Sequence, residues 1–539
     1  MHKNSLAYRD TNYFTPLVTD YLDQKENVQQ FYGLFPTLEN FQEQIALKKE
    51  NYDAAGGTEK REVLTGILKE QYRDIKISEA TASNFDLLKE ETTFTVTTGH
   101  QLNLFTGPLY FLYKIVSAIN LARDLKKAYP QYNFVPVYWM ATEDHDFEEI
   151  SFFYLHGKKF QWNPPKSEKT GGPVGELPTT GLNDVFELFS AEIGNTKNAG
   201  QLKQWFKKAY LEHDNLADAT RYLANELFGE QGLVIMDAHH AELKRLYIPQ
   251  MKKELLDQVS YKAVQKKSET LEQEGYNVQV NTREINLFYI QKGLRERIIE
   301  KNGKFFVHEN EISWSKEELL ELLENHPERF SPNVLLRPLY EEVILPNLCY
   351  IGGGGELAYW LELKGLFEAV NITFPVLLLR NSVLLQTEKQ DQKRQKLNIS
   401  LPELFLKRHE LINRKVRKIS NIDIDFSPQK EHLVEQFRGM YELAEKTDKT
   451  FLNAVKAQEV KQLKGLDHLE KRLLKAQKRK LEDEVSRIAD LQNELFPNGG
   501  LQERHHNFSE FYLEYGEDLI PALLNSLEPL ELKFDIIAL

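Results

Sequence analysis

Short apolar runs alternate with longer segments of helical period throughout residues 1–380. Each run is followed by polar residues or glycine, and then by apolar residues three and four apart, the spacing that favours an amphipathic helix. This alternation is typical of α/β proteins, in which right-handed crossovers place the strands in one mostly parallel sheet. We therefore predict an α/β fold with a doubly wound core. The predicted strands are residues 94–98, 134–140, 233–237, 348–351 and 374–379.

Two segments interrupt this rhythm with proline, glycine and alternating polar and apolar residues. They cover residues 154–181 and 271–314, and the second contains the alternating run 276–280. Alternation of period two predicts short strands or hairpins rather than crossover helices. We predict that residues 1–380 form one core with insertions near 154–230 and 257–330.

The composition changes after residue 380. Residues 388–495 contain almost no glycine, are dense in charged residues, and place Leu474, Leu481, Ile488 and Leu495 seven residues apart. Heptads with charged flanks predict long antiparallel helices packed as a coiled coil. Acidic residues are mixed among the basic ones, which favours a solvated arm or a dimerisation element over a nucleic-acid-binding stripe. We predict a helical coiled-coil domain over 381–500, ended by the helix stop at 496–500, and a segment 501–539 that returns to the core.

The charge and cysteine content narrow the functional classes. With 81 Asp and Glu against 68 Lys and Arg in 539 residues, the net charge of −13 argues against nonspecific binding to nucleic acid or anionic membranes. The single cysteine, Cys349, permits no intramolecular disulfide and no cysteine-based zinc site. No apolar run reaches the ~20 residues of a membrane span, and the first residues lack the apolar core of a signal peptide. We expect a cytoplasmic protein that binds neither nucleic acid nor membrane.

Polar side chains follow the predicted strand 94–98 directly. Residues 97–114 read T-T-G-H-Q-L-N-L-F-T-G-P-L-Y-F-L-Y-K, a polar turn between a strand and a helix. Ligands of parallel sheets bind at the carboxyl ends of the strands, where loop backbone and helix N-termini point polar groups into a crevice. We therefore predict that six residues of this turn contribute to a functional site. They are His100, Gln101, Asn103, Thr106, Gly107 and Tyr110.

A second cluster, residues 141–149, follows the predicted strand 134–140 and surrounds His145 with carboxylates. Carboxylates beside an imidazole orient it for acid–base catalysis or steer a cationic amine. We predict His145, Asp144 and Asp146 to be catalytic and Glu143 to bind substrate. Helix capping is the alternative interpretation of some of these residues. A metal site of His145, Asp146 and His100 lacks the spacing of zinc motifs, so we predict no metal.

A third cluster surrounds four consecutive glycines that follow the predicted strand 348–351. Such glycines let the backbone approach an anionic ligand, but neither the Walker A nor the G-x-G-x-x-G spacing is present. A tight turn at close strand–helix packing is an equal alternative. Arg337 suits a substrate carboxylate or an ion pair with Glu341. The predicted residues are Gly352, Gly353, Gly354 and Gly355 for a cofactor, and Arg337, Tyr340, Glu356, Tyr359 and Trp360 for substrate.

Five separated motifs in the chain are T-G-H-Q-x-N-L-F-T-G-P-L-Y, E-D-H-D-F-E-E-I, R-P-L-Y-E-E-x-I-L-P, Y-I-G-G-G-G-E-L-A-Y-W and L-F-P-N-G-G-L-Q-E-R. Together and in this order they resemble the BshC family, the cysteine-adding enzymes of bacillithiol biosynthesis. The resemblance covers essentially the whole chain. It implies a Rossmann-like core related to class I nucleotidyltransferases and aminoacyl-tRNA synthetases, two connecting-peptide insertions, and a coiled coil that supports a homodimer.

The resemblance also implies a reaction, the joining of L-cysteine to the amine of glucosaminyl malate through an amide bond. We predict His145, oriented by Asp144 or Asp146, as the general base, and His100, with Gln101 and Asn103, as ligands of the oxyanion or phosphate. Activation of the cysteine carboxylate predicts ATP with Mg²⁺ as cofactor. Class I enzymes carry H-x-G-H and K-M-S-K-S motifs. In this chain only one histidine stands where the H-x-G-H motif would lie, and the K-M-S-K-S motif is absent. A noncatalytic dimeric scaffold that binds a partner through the arm is the alternative.

Overall fold

The computed structural model describes residues 2–165, 167–168 and 170–539. These residues form four β-sheets, two of which have five strands. The strands are β1 His2–Ala7, β2 Thr93–His100, β3 Asn133–Met140, β4 Phe152–Leu155, β5 Lys158–Gln161, β6 Val234–Asp237, β7 Leu287–Gln291, β8 Leu294–Lys301, β9 Lys304–Val307, β10 Ser313–Ser315, β11 Phe330–Pro332, β12 Asn347–Gly352, β13 Val376–Leu379, β14 Ser382–Gln386 and β15 Lys533–Ala538.

Helices fill the segments between the strands and form the arm. The helices that precede β12 are α1 Tyr8–Thr11, α2 Pro16–Leu22, α3 Leu38–Ala54, α4 Gly57–Gln71, α5 Glu79–Leu87, α6 Tyr110–Ala128, α7 Phe147–Ile150, α8 Leu182–Ile193, α9 Lys197–Leu211, α10 Leu216–Phe228, α11 Ala241–Arg245, α12 Ile248–Asp257, α13 Val259–Gln273, α14 Lys316–Asn325 and α15 Arg337–Ile344. The later helices are α16 Gly354–Trp360, α17 Lys364–Val370, α18 Glu388–Lys396, α19 Leu401–Leu404, α20 Arg408–Ile419, α21 Ser427–Glu445, α22 Lys449–Lys480, α23 Glu482–Leu495, α24 Phe508–Tyr515 and α25 Leu519–Ser526.

A five-stranded parallel sheet with the order β13-β12-β2-β3-β6 forms the centre of the molecule. All five predicted strands are present and every pairing between them is parallel, which confirms the predicted α/β fold. Along β13, Val376 and Leu378 pack in one core cluster, whereas Leu377 and Leu379 pack in another. Both faces of the sheet are therefore buried, which explains why its strands are continuous apolar runs.

Antiparallel elements lie outside the central sheet, in or near the two segments predicted to carry short strands, although the alternating run 276–280 itself forms no strand. The hairpin of β4 and β5 follows β3 and precedes α8. The second five-stranded sheet, in the order β10-β9-β8-β7-β11, lies between α13 and α15 in the chain and is antiparallel throughout. This second sheet brings the end of β11 and a side chain of β8 to the carboxyl edge of the central sheet.

The helical arm contains an antiparallel hairpin of α21 and α22. Lys430 near the start of α21 pairs with Glu470 near the end of α22 at 2.9 Å, and Tyr441 donates to Glu459 at 2.6 Å. The second contact lies closer to the turn than the first in both helices, which is possible only if the two helices are antiparallel. The predicted antiparallel packing is thus present. The small apolar core of the hairpin consists of Phe437, Ala444 and Val455.

The heptad residues do not form the seam of this hairpin. Leu481 lies at the break between α22 and α23, while Leu474, Ile488 and Leu495 are buried in the main core of the molecule. A heptad shows that one face of a helix is covered, but it does not identify the covering surface. The heptad thus indicated helices with one covered face, as observed, but it did not specify that these residues would share a core cluster with α20 residues such as Leu411 and Val416.

A three-stranded sheet joins distant parts of the chain. β15 pairs antiparallel with β1 and parallel with β14. Residues before β15 also run beside β14, since Oε1 of Gln502 accepts from the Leu385 amide and Oε2 of Glu503 accepts from the Val383 amide. Across the described ranges, no helix combines the length and apolar character needed to cross a bilayer.

Candidate active site

Two adjoining cavities open at the carboxyl edge of the central sheet. The first has a volume of about 360 Å³ and lies beyond β2, β3, β12 and β13; the second has about 390 Å³ and lies beyond β3 and β6. Trp139, Ala141, Val334 and Arg337 line both, so the two cavities form one crevice. A ligand of a parallel sheet is expected at this edge. The first cavity is also lined by Gly99, His100, Gln101, Tyr110, Lys114, Tyr350, Gly353, Gly355, Glu356, Tyr359, Arg380 and Arg504.

Arg337 and Arg380 line the first cavity, and each is paired with a buried carboxylate. Nη1 of Arg337 lies 2.7 Å from Oε2 of Glu341, so the ion pair that was the alternative to substrate binding is present. Arg380 makes two hydrogen bonds to Glu503, at 3.0 and 2.7 Å. Burial raises the pKa of Glu341 to about 8, although Arg337 opposes this shift. Both guanidiniums are thus held by carboxylates of the protein itself.

Arg504 is the only cation of the first cavity that lacks an ion pair among the residues the structure describes. Its side chain is exposed and comes from the short turn Gln502–Arg504. The neighbouring Glu503 fixes this turn through its bonds to Arg380 and to the backbone of β14. The anchored turn holds Arg504 at the cavity mouth, where a guanidinium can bind a carboxylate through two parallel hydrogen bonds.

His100 is the last residue of β2, and one nitrogen of its imidazole ring is unpaired among the described residues. Its side chain is 7% exposed and lines the first cavity, and none of the described residues bonds to Nε2. Burial, with a further contribution from Lys114, holds the pKa of His100 well below its usual range, so the imidazole is neutral at physiological pH. A neutral imidazole can donate a hydrogen bond without adding charge, which suits a developing oxyanion.

The loop after His100 has an unusual backbone. Phe105 and Thr106 have left-handed φ angles of 48° and 69°, and the φ angle of Gly107 is 62°. Residues with a branched Cβ rarely adopt this conformation. Nδ2 of Asn507 holds the loop by donating to the carbonyl oxygens of Phe105 and Gly107, at 2.7 and 2.6 Å. Strain of this kind persists only where the surrounding structure fixes it.

Three of the predicted loop contacts lie behind the crevice rather than in its walls. Asn103, Thr106 and Gly107 are buried and line neither cavity, whereas Gln101 and Tyr110 line the first. A Cβ on Gly107 would lie 2.6 Å from Cβ of Asn103, which explains the glycine by packing. Oδ1 of Asn103 and Oγ1 of Thr106 have no partner among the described residues. Substrate contact by these three residues stays a prediction.

A buried charge cluster borders the second cavity. Glu143 accepts from the Ser331 hydroxyl at 2.8 Å and lies 2.5 Å from Lys244 and 3.0 Å from His239. Burial favours neutral Glu143, but Lys244 and His239 outweigh it and lower its pKa to about 2. Burial likewise opposes charge on His239, but hydrogen bonds to Glu143 and Glu176 raise its pKa to about 10. His239 is therefore protonated at physiological pH.

His145, the predicted general base, lies beside the second cavity with one nitrogen occupied. Nδ1 is 2.9 Å from Nη1 of Arg295, which can only donate, so Nδ1 accepts and Nε2 carries the proton of a neutral ring. Asp144 lies 3.7 Å from Nδ1 and accepts from Gln101 at 2.8 Å. Asp146 caps α7, a role that the capping interpretation gave to Thr142 or Asp144 instead. The geometry therefore gives no support to base catalysis by His145.

The glycine turn after β12 is filled by Glu356. The Gly353 amide donates to Oε2 of Glu356 at 2.9 Å, and the same oxygen lies 2.5 Å from Lys114. Burial opposes ionisation of Glu356, but Lys114 and the Gly353 amide lower its pKa to about 2. A Cβ on Gly352 would lie 2.9 Å from Cβ of Glu356, so close packing explains that glycine. Because the carboxylate occupies the place of an anion, a nucleotide phosphate does not fit here, and cofactor binding by Gly352, Gly353, Gly354 and Gly355 stays a prediction.

The aromatic residues of the third cluster differ in their access to the crevice. Tyr359 lines the first cavity, and Tyr340 lines the second while donating to the Ala238 carbonyl at 2.8 Å. Trp360 is fully buried and stacks on Tyr350 with 4.4 Å between ring centroids. Trp360 therefore packs beneath the first cavity wall, and the structure does not support its prediction as a substrate contact.

Among the charged residues that line the crevice, the sequence interpretation missed His239, Arg504 and Arg295. His239 follows β6 just as the other clusters follow their strands, so the same rule would have found it. Arg504 lies in the fifth motif, but a single arginine in a short turn has no signal of its own. Arg295 projects from β8, whose sequence indicates only a strand. Within the described part of the chain, no group of three or more His, Cys, Asp or Glu side chains is arranged to hold a metal ion.

Comparison with known proteins finds relatives along the full length. The family model described as "Bacillithiol biosynthesis BshC, N-terminal Rossmann-like domain" matches residues 1–381, and "Bacillithiol biosynthesis BshC, C-terminal coiled-coil domain" matches residues 383–539. Proteins named "Putative cysteine ligase BshC" include one from Christiangramia forsetii, 63% identical over 100% of this chain and 99% of its own length. Another, from Flavobacterium johnsoniae, is 59% identical over 100% of both chains.

More distant similarities are much weaker. A protein of the same name from Lysinibacillus sphaericus is 28% identical over 94% of this chain and 95% of its own length. A solved structure titled "putative arginyl t-RNA synthetase" from Campylobacter jejuni is 12% identical, covers 84% of this chain and 98% of its own, and has a TM-score of 0.20. That structural likeness is too low to support a conclusion about fold or function.

Proposed function

Because this chain belongs to the BshC family of bacillithiol biosynthesis, we propose that it is a ligase that joins L-cysteine to the amine of glucosaminyl malate. The observation that carries the proposal is the first cavity, in which an unpaired guanidinium and a neutral imidazole face the same space at the carboxyl edge of a parallel sheet. A guanidinium suits an acidic acceptor, and a neutral hydrogen-bond donor suits the oxyanion of amide formation. The scaffold alternative requires no such crevice, and no contact in the described residues favours it.

The first cavity suits the malate part of the acceptor. Malate carries carboxylates, and Arg504 has no competing ion pair among the described residues. Arg337 contributes a further guanidinium to the wall of this cavity. His100 would donate a hydrogen bond to the oxyanion that forms when the amine attacks the acyl carbon.

The second cavity suits L-cysteine. Trp139, Phe288 and Tyr340 provide apolar and aromatic walls for a thiol side chain. Arg295 lines this cavity and has no ion pair among the described residues, so it can bind the cysteine carboxylate. Arg337 lines both cavities, so in our proposal the acyl group and the acceptor amine lie on either side of the same guanidinium.

ATP is the activator that we propose for the cysteine carboxylate, since a carboxylate and an amine do not condense unaided in water. ATP with Mg²⁺ would convert the carboxylate oxygen into a leaving group. The glycine turn does not fit a phosphate, because Glu356 already accepts from its amide. We therefore assign no residue to the nucleotide.

We further propose a homodimer formed through the arm. Of the fourteen exposed large apolar side chains among the described residues, eight lie between residues 419 and 469. The most exposed of these are Leu443, at 62%, and Leu469, at 51%. Exposed apolar surface concentrated in one element is typical of an interaction surface, and a second copy of the same arm can cover it.

The experiment that tests the ligase combines purified protein with cysteine and glucosaminyl malate, with and without ATP and Mg²⁺, and measures the amide product by mass spectrometry. We expect product only with ATP. Arg504→Gln should raise KM for glucosaminyl malate about tenfold or more, with little change in KM for cysteine, because a charge-assisted contact to the acceptor is lost. The matched control is Arg487→Gln, an exposed arginine of α23.

The ligase activity and the binding role of Arg504 are contradicted by different results. No product from the unmodified protein under either condition contradicts the ligase. Normal product formation by Arg504→Gln with an unchanged KM for the acceptor leaves the ligase intact but contradicts the binding role of Arg504.

A further inference from the structure

A separate cavity of about 320 Å³, which we call the lysine cavity, lies among α3, α4, α12 and α17. It is at the other edge of the central sheet from the crevice, because Glu342 in its wall bonds to Asn347, the first residue of β12. Its charged lining consists of Lys48, Lys60, Lys253 and Glu342.

The single carboxylate of the lysine cavity is already satisfied. Lys48 and Glu342 form an ion pair and are 2% and 0% exposed. The other oxygen of Glu342 accepts from Nδ2 of Asn347 at 2.6 Å. This pair is electrically neutral and fully enclosed, so Glu342 is not available to balance the remaining lysines.

Lys60 and Lys253 therefore give the cavity a net positive charge. Neither forms an ion pair among the described residues, and Glu59, the sequence neighbour of Lys60, is exposed and forms none either. Nζ of Lys60 lies 4.9 Å from the centroid of the Tyr52 ring, and the charge of the exposed Glu59 also favours this ammonium. Burial, with a further contribution from Lys48, lowers the pKa of Lys60 to about 8. An ammonium in this environment gains from an anion nearby.

A second observation also indicates a ligand. Gln250 lines the same cavity, and its side-chain Oε1 is buried and receives no hydrogen bond from the described residues. A buried acceptor left unpaired is unfavourable, so a donor from a ligand would satisfy it. An oxyanion that also carries a hydroxyl supplies charge for the lysines and a donor for this oxygen.

We propose that the lysine cavity binds a small oxyanion that carries a hydroxyl, such as hydrogen phosphate, with Lys60 binding its charge and Gln250 accepting from its hydroxyl. The site does not depend on the ligase reaction. A phosphate monoester with a protonated oxygen shares this chemistry, and the limited cavity volume favours small members of the class.

The test follows acetylation of individual lysines in the full-length protein by mass spectrometry. The reagent reacts with neutral amines, so an anion bound to Lys60 should protect it. Inorganic phosphate at about 20 mM, compared with chloride of equal ionic strength, should slow acetylation of Lys60 roughly fivefold or more. Lys69 is the matched control, because it lies on the same helix, is exposed, and pairs with Asp86. Its rate should not change.

Gln250→Glu provides the second measurement, since a carboxylate at this position repels the anion. Protection of Lys60 by phosphate should be lost in this variant while circular dichroism stays unchanged. Absence of protection in the unmodified protein overturns the proposal. Equal slowing of Lys60 and Lys69 also overturns it, because it reveals only a general effect of salt. Binding of phosphate in the crevice cannot imitate the result, since Lys60 does not line the crevice.

Discussion

His239 shows how a single titratable side chain links the crevice to stability. Its folded pKa of about 10 lies above the ordinary value of 6.5, because hydrogen bonds to Glu143 and Glu176 outweigh the cost of burial. Its stabilising contribution is thus fully present below about pH 6.5 and is lost as the pH rises through about 10. His239→Gln should lower the free energy of unfolding by on the order of 2–4 kcal/mol near pH 6, and the difference should shrink towards pH 10.

Thermal unfolding of both proteins across this pH range measures the effect. His409→Gln is a suitable control, because His409 is 70% exposed. A difference between His239→Gln and the unmodified protein that stays constant from about pH 6 to about pH 10 would show that His239 is not held protonated.

At the same scale, the sequence could place polar residues at strand ends but could not assign their roles. His100 and Glu143 lie in the crevice walls or beside them because each follows a strand of the parallel sheet. His145 follows such a strand too, but its Nδ1 is occupied by Arg295, which is distant in sequence. Protonation and hydrogen bonding depend on partners from other elements, and local sequence does not specify them.

The backbone strain in the loop after β2 leads to a prediction about the stability of the protein. Thr106 has a left-handed φ of 69°, which costs a β-branched residue on the order of 1–2 kcal/mol. Thr106→Gly removes this cost, although the more flexible unfolded chain offsets ~0.5–1 kcal/mol of the gain. We expect the glycine variant to be as stable as the unmodified protein or more stable by up to about 1 kcal/mol.

Thr106→Ala separates the backbone from the hydroxyl, because alanine keeps the strain and loses only the side-chain oxygen. Its thermal midpoint should lie below that of Thr106→Gly, and the reverse order would mean that the backbone carries no strain. Activity of the same pair tests the predicted substrate contact: normal turnover by both variants would exclude a role for the hydroxyl.

Helices and strands could be predicted where the pattern of apolar residues shows how many faces of the element are buried. The five central strands were found because both faces are buried, which produces uninterrupted apolar runs. The heptad from Leu474 to Leu495 correctly indicated helices with one covered face, but the covering surface is the main core rather than the facing helix of the hairpin. The period of the apolar residues indicates that one face of a helix is buried. Tertiary packing determines which surface covers that face.

At the scale of the whole molecule, the arm predicts the oligomeric state. Leu443→Glu places a charge on the most exposed apolar residue of the arm and should convert the proposed dimer into a monomer of 62.9 kDa. Multi-angle light scattering at several concentrations measures the mass. Leu188→Glu, at a residue that is 66% exposed on α8, should leave the dimer intact. Equal masses for both variants would contradict dimerisation through the arm.

Because the turn Gln502–Arg504 lies late in the chain, the crevice is completed late during synthesis. A ribosome synthesises Arg504 after all five strands of the central sheet and after the entire arm. Domains fold as they emerge, beginning with the N-terminal parts. The edge of the sheet can therefore form while the first cavity still lacks Arg504, and an unfinished chain has the framework of this cavity without the guanidinium that we propose for binding the acceptor.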